Sequence, residues 1–437
     1  MTRTAALSAF TAIGAASLAS PALAAPALLA HQAPLVIDNA ATAWILTSTA
    51  LVLLMTLPGL ALFYGGMVRK KNIISVIAQS AAAFALVSVL WFLVGYSLSF
   101  GTAPDAVNGL IGGVQAAFLN GVTMQTAHSL LPGLPELLFV SFQMTFAIIT
   151  PALIAGAFAE RMKFSASLLF FALWHLIVYA PICHQVWGGG YLGGLGVLDF
   201  AGGAVVHVNA GVAGLVCALV LGPRHGFGRD NMAPANLVYS AIGTGLLLVG
   251  WIGFNAGSAG AADALAATAA FNTILAAAAA ALGWMAIEWF DRKRPTLLGL
   301  LSGIVGGLVA ITPAAGFVDP KGAFFIGLIA GPACYAGAVW LKHALKYDDS
   351  LDAFGVHGIG GIVGALLTGV FATTSVNALA EGATVWKQAV GLAGAIAWSA
   401  AGTFLVLMIC KFTTGLRVAR DEEVEGLDYT QHGEAIH

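Results

Sequence analysis

Long apolar segments recur along the chain, and they restrict the possible folds more than any other feature of the sequence. Each run is long enough for a helix to cross a hydrocarbon core of about 30 Å. Of the 437 residues, 59% are hydrophobic and only 9% are charged, which is too few charged side chains to cover a water-facing surface. The sequence therefore predicts an all-α integral membrane protein.

Eleven transmembrane helices are predicted from these runs. The predicted spans are 41–66, 73–99, 135–158, 165–184, 200–221, 235–256, 264–289, 297–316, 322–342, 355–372 and 386–413. An odd count suggests two inverted five-helix halves plus a final long helix, a plan in which a transport path runs between the halves.

Lys and Arg indicate the orientation of the spans, because short cytoplasmic loops retain positive charge. Alternate loops and the C-terminal tail hold nearly all of the 18 Lys and Arg residues, and the exceptions are Arg3, Lys321 and Lys387. The mature N-terminus is therefore expected outside the membrane and the C-terminus in the cytoplasm.

The two ends of the chain differ from the spans between them. Residues 1–24 combine an early cation, a short apolar run and the small-x-small pattern Ala22-Leu23-Ala24, so a cleaved signal peptide is expected. An uncleaved first span is the alternative, although glycine, serine and proline interrupt the run. The expected plan is a signal peptide over 1–24, an eleven-span domain over 25–413 and a cytoplasmic tail over 414–437, in a bacterial inner membrane.

Composition and spacing argue against several classes of function. A net charge of −2 leaves no broad surface for nucleic acid. The sequence contains no evident nucleophile–base pair or metal-ligand cluster, so neither an enzyme nor a cofactor is expected. The cysteines lie in or beside apolar runs without metal-type spacing, which favours packing over disulfide or metal roles. They are Cys183, Cys217, Cys334 and Cys410.

Two histidines lie in predicted spans, where an ionisable side chain is expensive and faces a cavity or a partner. The fifth span opens with Asp199 and carries His207, and the tenth is preceded by Asp352 and opens with His357. Two imidazoles that meet would make a polar path through an apolar tube, whereas two separately satisfied core histidines are the alternative. Asp199 either caps its helix or offers negative charge to a cation, and capping is favoured.

Aromatic side chains cluster at the outer ends of several spans. They are Phe142, Phe146, Trp187, Trp251 and Phe254. For any one of them, the interfacial aromatic belt of membrane proteins is the ordinary interpretation. The alternative is a site in which ring faces and a hydroxyl hold a small desolvated cation.

Ordered blocks of this sequence resemble the ammonium transporter family (Amt/Mep/Rh), in particular its bacterial AmtB-like branch. The resemblance extends over essentially the whole mature chain. Its most specific segment is the run from Asp199 to Arg224. The other matching blocks are 63–66, 156–161, 186–190, 253–258 and 354–358.

The resemblance implies a homotrimer whose protomers each hold a pore for ammonium or ammonia across the lipid bilayer. Phe146, Trp187 and Ser258 resemble the outer ammonium-recruiting site of the family, and Asp199 resembles the acid near it. Phe146 and Phe254 resemble the stacked rings that close the pore below. Trp187 and Ser258 favour the bacterial branch over the Rhesus branch.

The resemblance also implies roles deeper in the pore. His207 and His357 resemble the twin histidines of the lumen, and Trp251 and Tyr64 match positions near it. The implied mechanism deprotonates ammonium at the outer site and conducts ammonia past the histidines, with the route of the proton left open.

The polar tail is similar to family tails that couple protomers and help dock a PII-type (GlnK-like) regulatory protein. A solvated, partly disordered terminus is the alternative. Two rival functions remain at this point. They are an ammonium sensor acting through a separate partner protein, and a channel for another small neutral molecule such as carbon dioxide, against which Trp187 and Ser258 argue.

Overall fold

Apolar helices dominate the architecture in the computed structural model, which describes residues 32–436. Within that range, ten helices are long and apolar enough to cross a membrane, and a shorter apolar helix lies among them. In chain order the eleven are α1 (Asn39–Met67), α2 (Lys70–Phe100), α3 (Glu136–Phe158), α4 (Phe164–Gly194), α5 (Gly203–Leu221), α6 (Leu237–Ala256), α7 (Ala264–Arg292), α8 (Leu297–Ile311), α9 (Pro320–Leu345), α10 (Phe354–Phe371) and α11 (Val385–Thr413).

Each of the eleven helices coincides with one predicted span, and the all-α membrane fold is confirmed. The exception in length is α8, which has 15 residues and a length of roughly 22 Å at the α-helical rise. The predicted span 297–316 was therefore too long. The helix ends just before Thr312-Pro313, because Pro313 has no N–H to donate to a carbonyl of the preceding turn. The count of eleven membrane crossings stays a prediction.

Short elements lie outside the long helices. The strands β1 (Gln32–Pro34) and β2 (Thr126–His128) pair antiparallel, with Gln32 opposite His128. Further short helices cover Asp105–Asn108, Ala117–Leu119 and Ala378–Ala380. The C-terminal tail forms α12 (Arg420–Glu425) and α13 (Leu427–His432). The predicted signal peptide, 1–24, lies outside the described residues.

The helices α5 and α10 begin alike and cross closely. Each starts with a π-helical turn that contains its histidine, Gly203–Val208 in α5 and Phe354–Gly358 in α10. At the crossing, a Cβ on Gly211 would overlap the backbone of Gly358. Glycine at this point lets the two backbones approach, as small residues do where helices pack in membranes.

An aspartate caps each of these two helices. Asp199 caps α5, and Asp349 accepts hydrogen bonds from the backbone N–H of Ala353 at 3.0 Å and of Phe354 at 2.7 Å. The capping aspartate and the histidine are separated by the same sequence distance in both helices. The expected correspondence between Asp199 before α5 and Asp352 before α10 was therefore wrong, because Asp349 is the residue that corresponds to Asp199. Asp352 instead forms an ion pair with Lys342 and has a positive φ of 60°.

The tail packs against the loops that carry the Lys and Arg residues. The N–H of Lys163 donates to the Leu416 carbonyl at 2.9 Å, so the tail begins beside the α3–α4 loop. Farther along, the Asp428 carboxylate accepts from the N–H of Ser75 at 2.8 Å, and Asn72 accepts from the N–H of Leu427 at 2.9 Å. Up to His432 the tail is thus a docked segment with two short helices, whereas residues 433–436 are exposed and non-helical.

Candidate functional site

A recess of about 360 Å³ opens beside the first half of α3 and the C-terminal ends of α4 and α6, and it contains the predicted recruiting residues. Phe146, Trp187 and Ser258 line it together with Asp199. Phe146 belongs to α3, and Trp187 lies at the end of the helical part of α4. Ser258 lies in the segment after α6, and Asp199 in the segment before α5. Packing of these four segments therefore assembles in one place residues that are far apart in sequence.

Phenylalanine rings form the floor of the recess. The ring of Phe146 meets that of Trp187 edge-on, with centroids 5.9 Å apart at 88°. Phe146 also lies against Phe254, with centroids 4.3 Å apart at 36°, and both rings are buried. At this separation the two rings are in van der Waals contact, so the path between the recess and the interior is closed here.

Hydrogen bonds fix the polar edges of the two other recess residues. The indole Nε1–H of Trp187 donates to the carbonyl of Asp199 at 2.8 Å, which leaves the ring faces as the surface available to a ligand. The Ser258 hydroxyl donates to the Phe254 carbonyl at 2.9 Å. Because its single proton is used in this bond, the Ser258 oxygen can only accept from a ligand.

The Asp199 carboxylate accepts four backbone hydrogen bonds at the start of α5. One oxygen accepts from Gly202 at 2.8 Å and Gly203 at 2.6 Å, and the other from Ala204 at 2.8 Å and Val205 at 3.1 Å. Burial raises the pKa of Asp199 above its ordinary value, and the four N–H donors act in the opposite direction. The carboxylate is therefore a helix cap in the wall of the recess.

Below the phenylalanine pair, the two predicted lumen histidines stack on each other. The rings of His207 and His357 have centroids 5.4 Å apart at 18°. His207 is also flanked by Phe254 at 5.9 Å and Trp251 at 5.3 Å. Among residues 32–436, neither ring nitrogen of His207 and not Nδ1 of His357 has a hydrogen-bond partner. The histidines therefore meet, and they are not separately satisfied by the surrounding protein.

Trp251 and Tyr64 occupy different surroundings. The Trp251 Nε1–H donates to Thr312 at 2.9 Å, which turns the polar edge of the indole away and presents its face to His207. Tyr64 is buried in α1, and its hydroxyl donates to the Leu153 carbonyl in α3 at 3.1 Å. Tyr64 is not in ring contact with either histidine in the described chain. The structure thus brings Trp251, but not Tyr64, to the histidine pair.

Two further buried histidines in α4 were not singled out from the sequence. His175 lies between the rings of Trp91 at 5.9 Å and Tyr179 at 5.6 Å. The two ring nitrogens of His184 face the carbonyls of Ser99 at 3.0 Å and Asn108 at 2.7 Å. The signal that identified His207, an ionisable residue inside a predicted span, applies equally to both of them.

A buried ion network lies at the end of the protein opposite the recess. Arg224 pairs with Asp348 at 2.8 Å and with Glu160 at 3.3 Å, and Arg69 also pairs with Glu160 at 2.7 Å. Burial opposes the charged form of Asp348, but the hydrogen-bonded Arg224 guanidinium outweighs it and holds the pKa of Asp348 below its ordinary value. The network fastens the loop before α10 to the loops after α1, α3 and α5.

Asp349, next to this network, is in the opposite electrostatic situation. Burial, followed by the charge of Asp352, raises the pKa of Asp349 to about 6. The pKa values of Asp348 and Asp349 are thus shifted in opposite directions, because the guanidinium contacts the first carboxylate and not the second.

The structure offers no assembled metal site within residues 32–436, since no three His, Cys, Asp or Glu side chains are grouped to hold an ion. All four cysteines are buried with free thiols.

Comparisons with known proteins identify the family. The model of the Ammonium Transporter Family matches residues 43–436. An ammonium transporter of Bacillus subtilis is 50% identical over 398 residues, which cover 88% of this chain and 95% of that protein. The crystal structure of Saccharomyces cerevisiae Mep2 has a TM-score of 0.81 at 38% identity, over 88% of this chain and 89% of that chain.

A further solved structure, described as a "Sensor Amt Protein", has a TM-score of 0.83 at 31% identity, over 90% of this chain and 98% of that chain. Family match, relatives and structures all span nearly the whole described chain. The protein therefore belongs to the ammonium transporter family, and its function is ammonium transport across a membrane and not catalysis.

Proposed function

We propose that the recess formed by Phe146, Trp187 and Ser258 selects ammonium at the start of transport. Ring faces attract a desolvated cation by roughly 0.5 to 2 kcal/mol each. The Ser258 oxygen is oriented to accept a hydrogen bond, which ammonium can donate and potassium cannot. Potassium would therefore lose water ligands in the recess without gaining equivalent oxygen contacts.

The path below the recess favours a neutral molecule. The contact between Phe146 and Phe254 must open transiently, and the apolar surroundings beneath it make a bare cation expensive. Ammonium deprotonates above the rings, and ammonia passes along His207 and His357. The proton is either released outside or follows by a separate route, and the two cases differ in whether net charge crosses the membrane.

One observation carries this proposal: the acceptor-lined recess, the closed phenylalanine pair and the stacked histidines lie in direct succession. Phe146 contacts Trp187 in the recess and Phe254 below it, and Phe254 in turn contacts His207. The rings of the recess and of the histidine pair thus form one continuous series of contacts, in the order Trp187, Phe146, Phe254, His207 and His357.

The test is the current across a solid-supported membrane that carries the purified protein in liposomes, after matched pulses of ammonium and potassium. Wild type should give an ammonium-specific current that His207→Ala weakens or makes unselective. The matched control is His175→Ala, which also removes a buried histidine but outside this series of contacts, and it should keep the selectivity. Full ammonium-specific transport by a His207→Ala, His357→Ala double variant contradicts the proposal.

We also propose a placement in the bacterial inner membrane, with the mature N-terminus outside and the tail in the cytoplasm. It rests on the distribution of Lys and Arg, and on the contact of the tail with loops that carry them. The proposed units are a signal peptide over 1–24, a transporter domain over 25–413 and a tail over 414–437. Labelling of cysteines introduced at each end in intact cells tests the orientation, and N-terminal sequencing of the purified protein tests the cleavage.

For the assembled state we propose a homotrimer that binds a PII-type (GlnK-like) regulatory protein at its cytoplasmic face. The docked tail supports this, because it presents α12 and α13 on the surface beside the loops that surround the inner end of the pore. Light scattering after size-exclusion chromatography tests the trimer. Co-purification with a PII protein, with and without residues 414–437, tests the partner.

Sensing is the second candidate function, and the similarity to a solved sensor protein favours it. A protein that senses without conducting would bind ammonium but give neither a current nor a change of internal pH in liposomes. An internal pH change without current would instead indicate neutral ammonia conduction. A channel for carbon dioxide is less well supported, since Trp187 and Ser258 provide contacts for a cation.

A further inference from the structure

A second cavity, of about 510 Å³, lies between the α5–α6 loop and the tail, far from the recess. Four of the ten residues that line it are arginines. The charged and titratable residues of the lining are Arg224, His225, Arg229, Arg417, Arg420 and Glu423. Transport through the recess and lumen uses none of them, so this concentration of arginine needs its own explanation.

Two of the arginines are fixed by neighbouring carboxylates and form rigid walls. Arg224 is held by Asp348, as described above. Arg417 pairs with Glu423 at 2.7 Å and donates to the carbonyl of Leu221 at 3.0 Å. Glu423 also accepts from the N–H of His225 at 2.6 Å. Glu423 therefore joins the loop to the tail, and the cavity has a defined shape.

The other two arginines carry the excess charge. Arg229 and Arg420 are exposed, and within residues 32–436 neither side chain forms an ion pair with an Asp or Glu. The acid nearest to Arg229 in sequence, Asp230, lines the adjacent cavity of about 700 Å³. The lone carboxylate in the lining, Glu423, is already used by Arg417. Two guanidinium groups that have no ion-pair partner among the described residues thus border one concave surface.

Solvated arginines at a cytoplasmic face are an ordinary consequence of the charge rule for membrane proteins. Two features separate this cavity from that case. The free arginines come from segments far apart in sequence, one on each side of a concave surface, and the paired arginines behind them are held in fixed positions. Guanidinium groups arranged in this way match the several acceptor oxygens of a phosphate group, which they bind in a bidentate manner.

We propose that this cavity binds a phosphate-class oxyanion, with Arg229 and Arg420 as its ligands and Arg224 and Arg417 as its fixed walls. The anion is either free phosphate or a phosphate headgroup of an inner-leaflet lipid, since both present the same oxygens. Because the anion contacts both the loop and the tail, its binding stabilises the docked tail by linkage.

The test uses the full-length protein in detergent at low ionic strength, titrated with inorganic phosphate in a calorimeter and compared with chloride. Wild type should bind phosphate saturably. In the Arg229→Gln, Arg420→Gln double variant the affinity should fall about tenfold or more, the size expected for loss of charged hydrogen bonds. Arg294→Gln, which removes an exposed arginine from a different loop, should bind as wild type does.

Two further measurements identify the source of the bound phosphate group and the effect of its binding on the tail. In nanodiscs, phosphatidylglycerol is compared with an anionic lipid that has no phosphate group, at equal negative charge. Phosphatidylglycerol should weaken phosphate binding if the lipid headgroup occupies the cavity, and the two lipids should give equal binding if free phosphate is the ligand. Phosphate should also slow protease cleavage of the tail in wild type and not in the double variant. Absence of phosphate binding in detergent, together with protease cleavage of the tail that is equally fast in nanodiscs of either lipid, overturns the proposal. So does binding that the double variant retains.

Discussion

Replacing Asp199 by Asn tests the four-bond cap at the start of α5. Asparagine keeps one acceptor oxygen, which replaces the carboxylate oxygen that serves Gly202 and Gly203. Its amide NH₂ would face the N–H groups of Ala204 and Val205, which now donate at 2.8 and 3.1 Å. Two hydrogen bonds to a charged acceptor are lost, at about 1.5 to 3 kcal/mol each. We therefore expect Asp199→Asn to lower the free energy of unfolding by about 3 to 6 kcal/mol.

The matched control is Asp263→Asn. Asp263 caps α7 through a single hydrogen bond, from Ala266 at 2.9 Å, and its side chain is exposed. Asparagine caps helices about as well as aspartate, so this variant should cost well under 1 kcal/mol. Both variants remove one carboxylate near a helix start, and they differ in the number of N–H groups left without an acceptor.

The assay is unfolding of the purified protein by increasing sodium dodecyl sulfate, followed by tryptophan fluorescence. The Asp199 carbonyl also holds the indole of Trp187, so loosening of this segment should weaken the apparent affinity for ammonium in the current measurement. If Asp199→Asn is as stable as Asp263→Asn, the carboxylate does not carry the four bonds, and the reasoning about α5 fails.

Three other changes have definite expected outcomes. The pKa of Asp349 is raised to about 6 from 3.8, so between these pH values the native state holds a proton that the unfolded state releases. Wild type should therefore lose about 3 kcal/mol of stability relative to Asp349→Asn as the pH rises from about 4 to about 7. A stability difference that does not change with pH contradicts this. Gly211→Ala places a Cβ on the Gly358 backbone and should destabilise the protein by about 3 kcal/mol in thermal unfolding, whereas Gly245→Ala, with open space around it, should be nearly neutral. Ser258→Ala removes the fixed acceptor and should reduce the ammonium-over-potassium current ratio by about tenfold, and an unchanged ratio would exclude this hydroxyl from selection.

The helices were predictable because the bilayer fixes the length of an apolar segment. Every predicted span coincides with a helix, and the span that most overruns its helix is that of α8, where the apolar run 297–316 continues past the helix end at Ile311. Hydrophobicity alone cannot locate that end. The proline at 313 was the available signal, since it stops the helix without making the sequence more polar.

The identities of the recess residues were predictable, but their geometry was not. The sequence blocks that resemble the family identified Trp187, Ser258 and Phe254 as site residues. They did not indicate that the Ser258 hydroxyl donates to the Phe254 carbonyl, which the structure shows. The sequence also could not predict which aspartate caps α10. Asp348, Asp349 and Asp352 lie within a few residues of one another, and only the turn of the backbone decides which carboxylate reaches the helix start.

Local helix geometry explains why these residues meet at all. His207, Phe254 and His357 each lie in a π-helical turn, on three different helices. A π-turn accommodates one extra residue, and one residue rotates the direction of the side chains that follow by about 100° in an α-helix. The rings of Phe254 and His357 both contact that of His207, and each of the three is therefore placed by a local departure from α-helical hydrogen bonding. Hydrophobic periodicity does not record that departure, since the flanking residues are apolar on every side. The direction of a functional side chain on its helix is thus set by the turn that contains it, and the sequence motif alone does not determine which side chains it contacts.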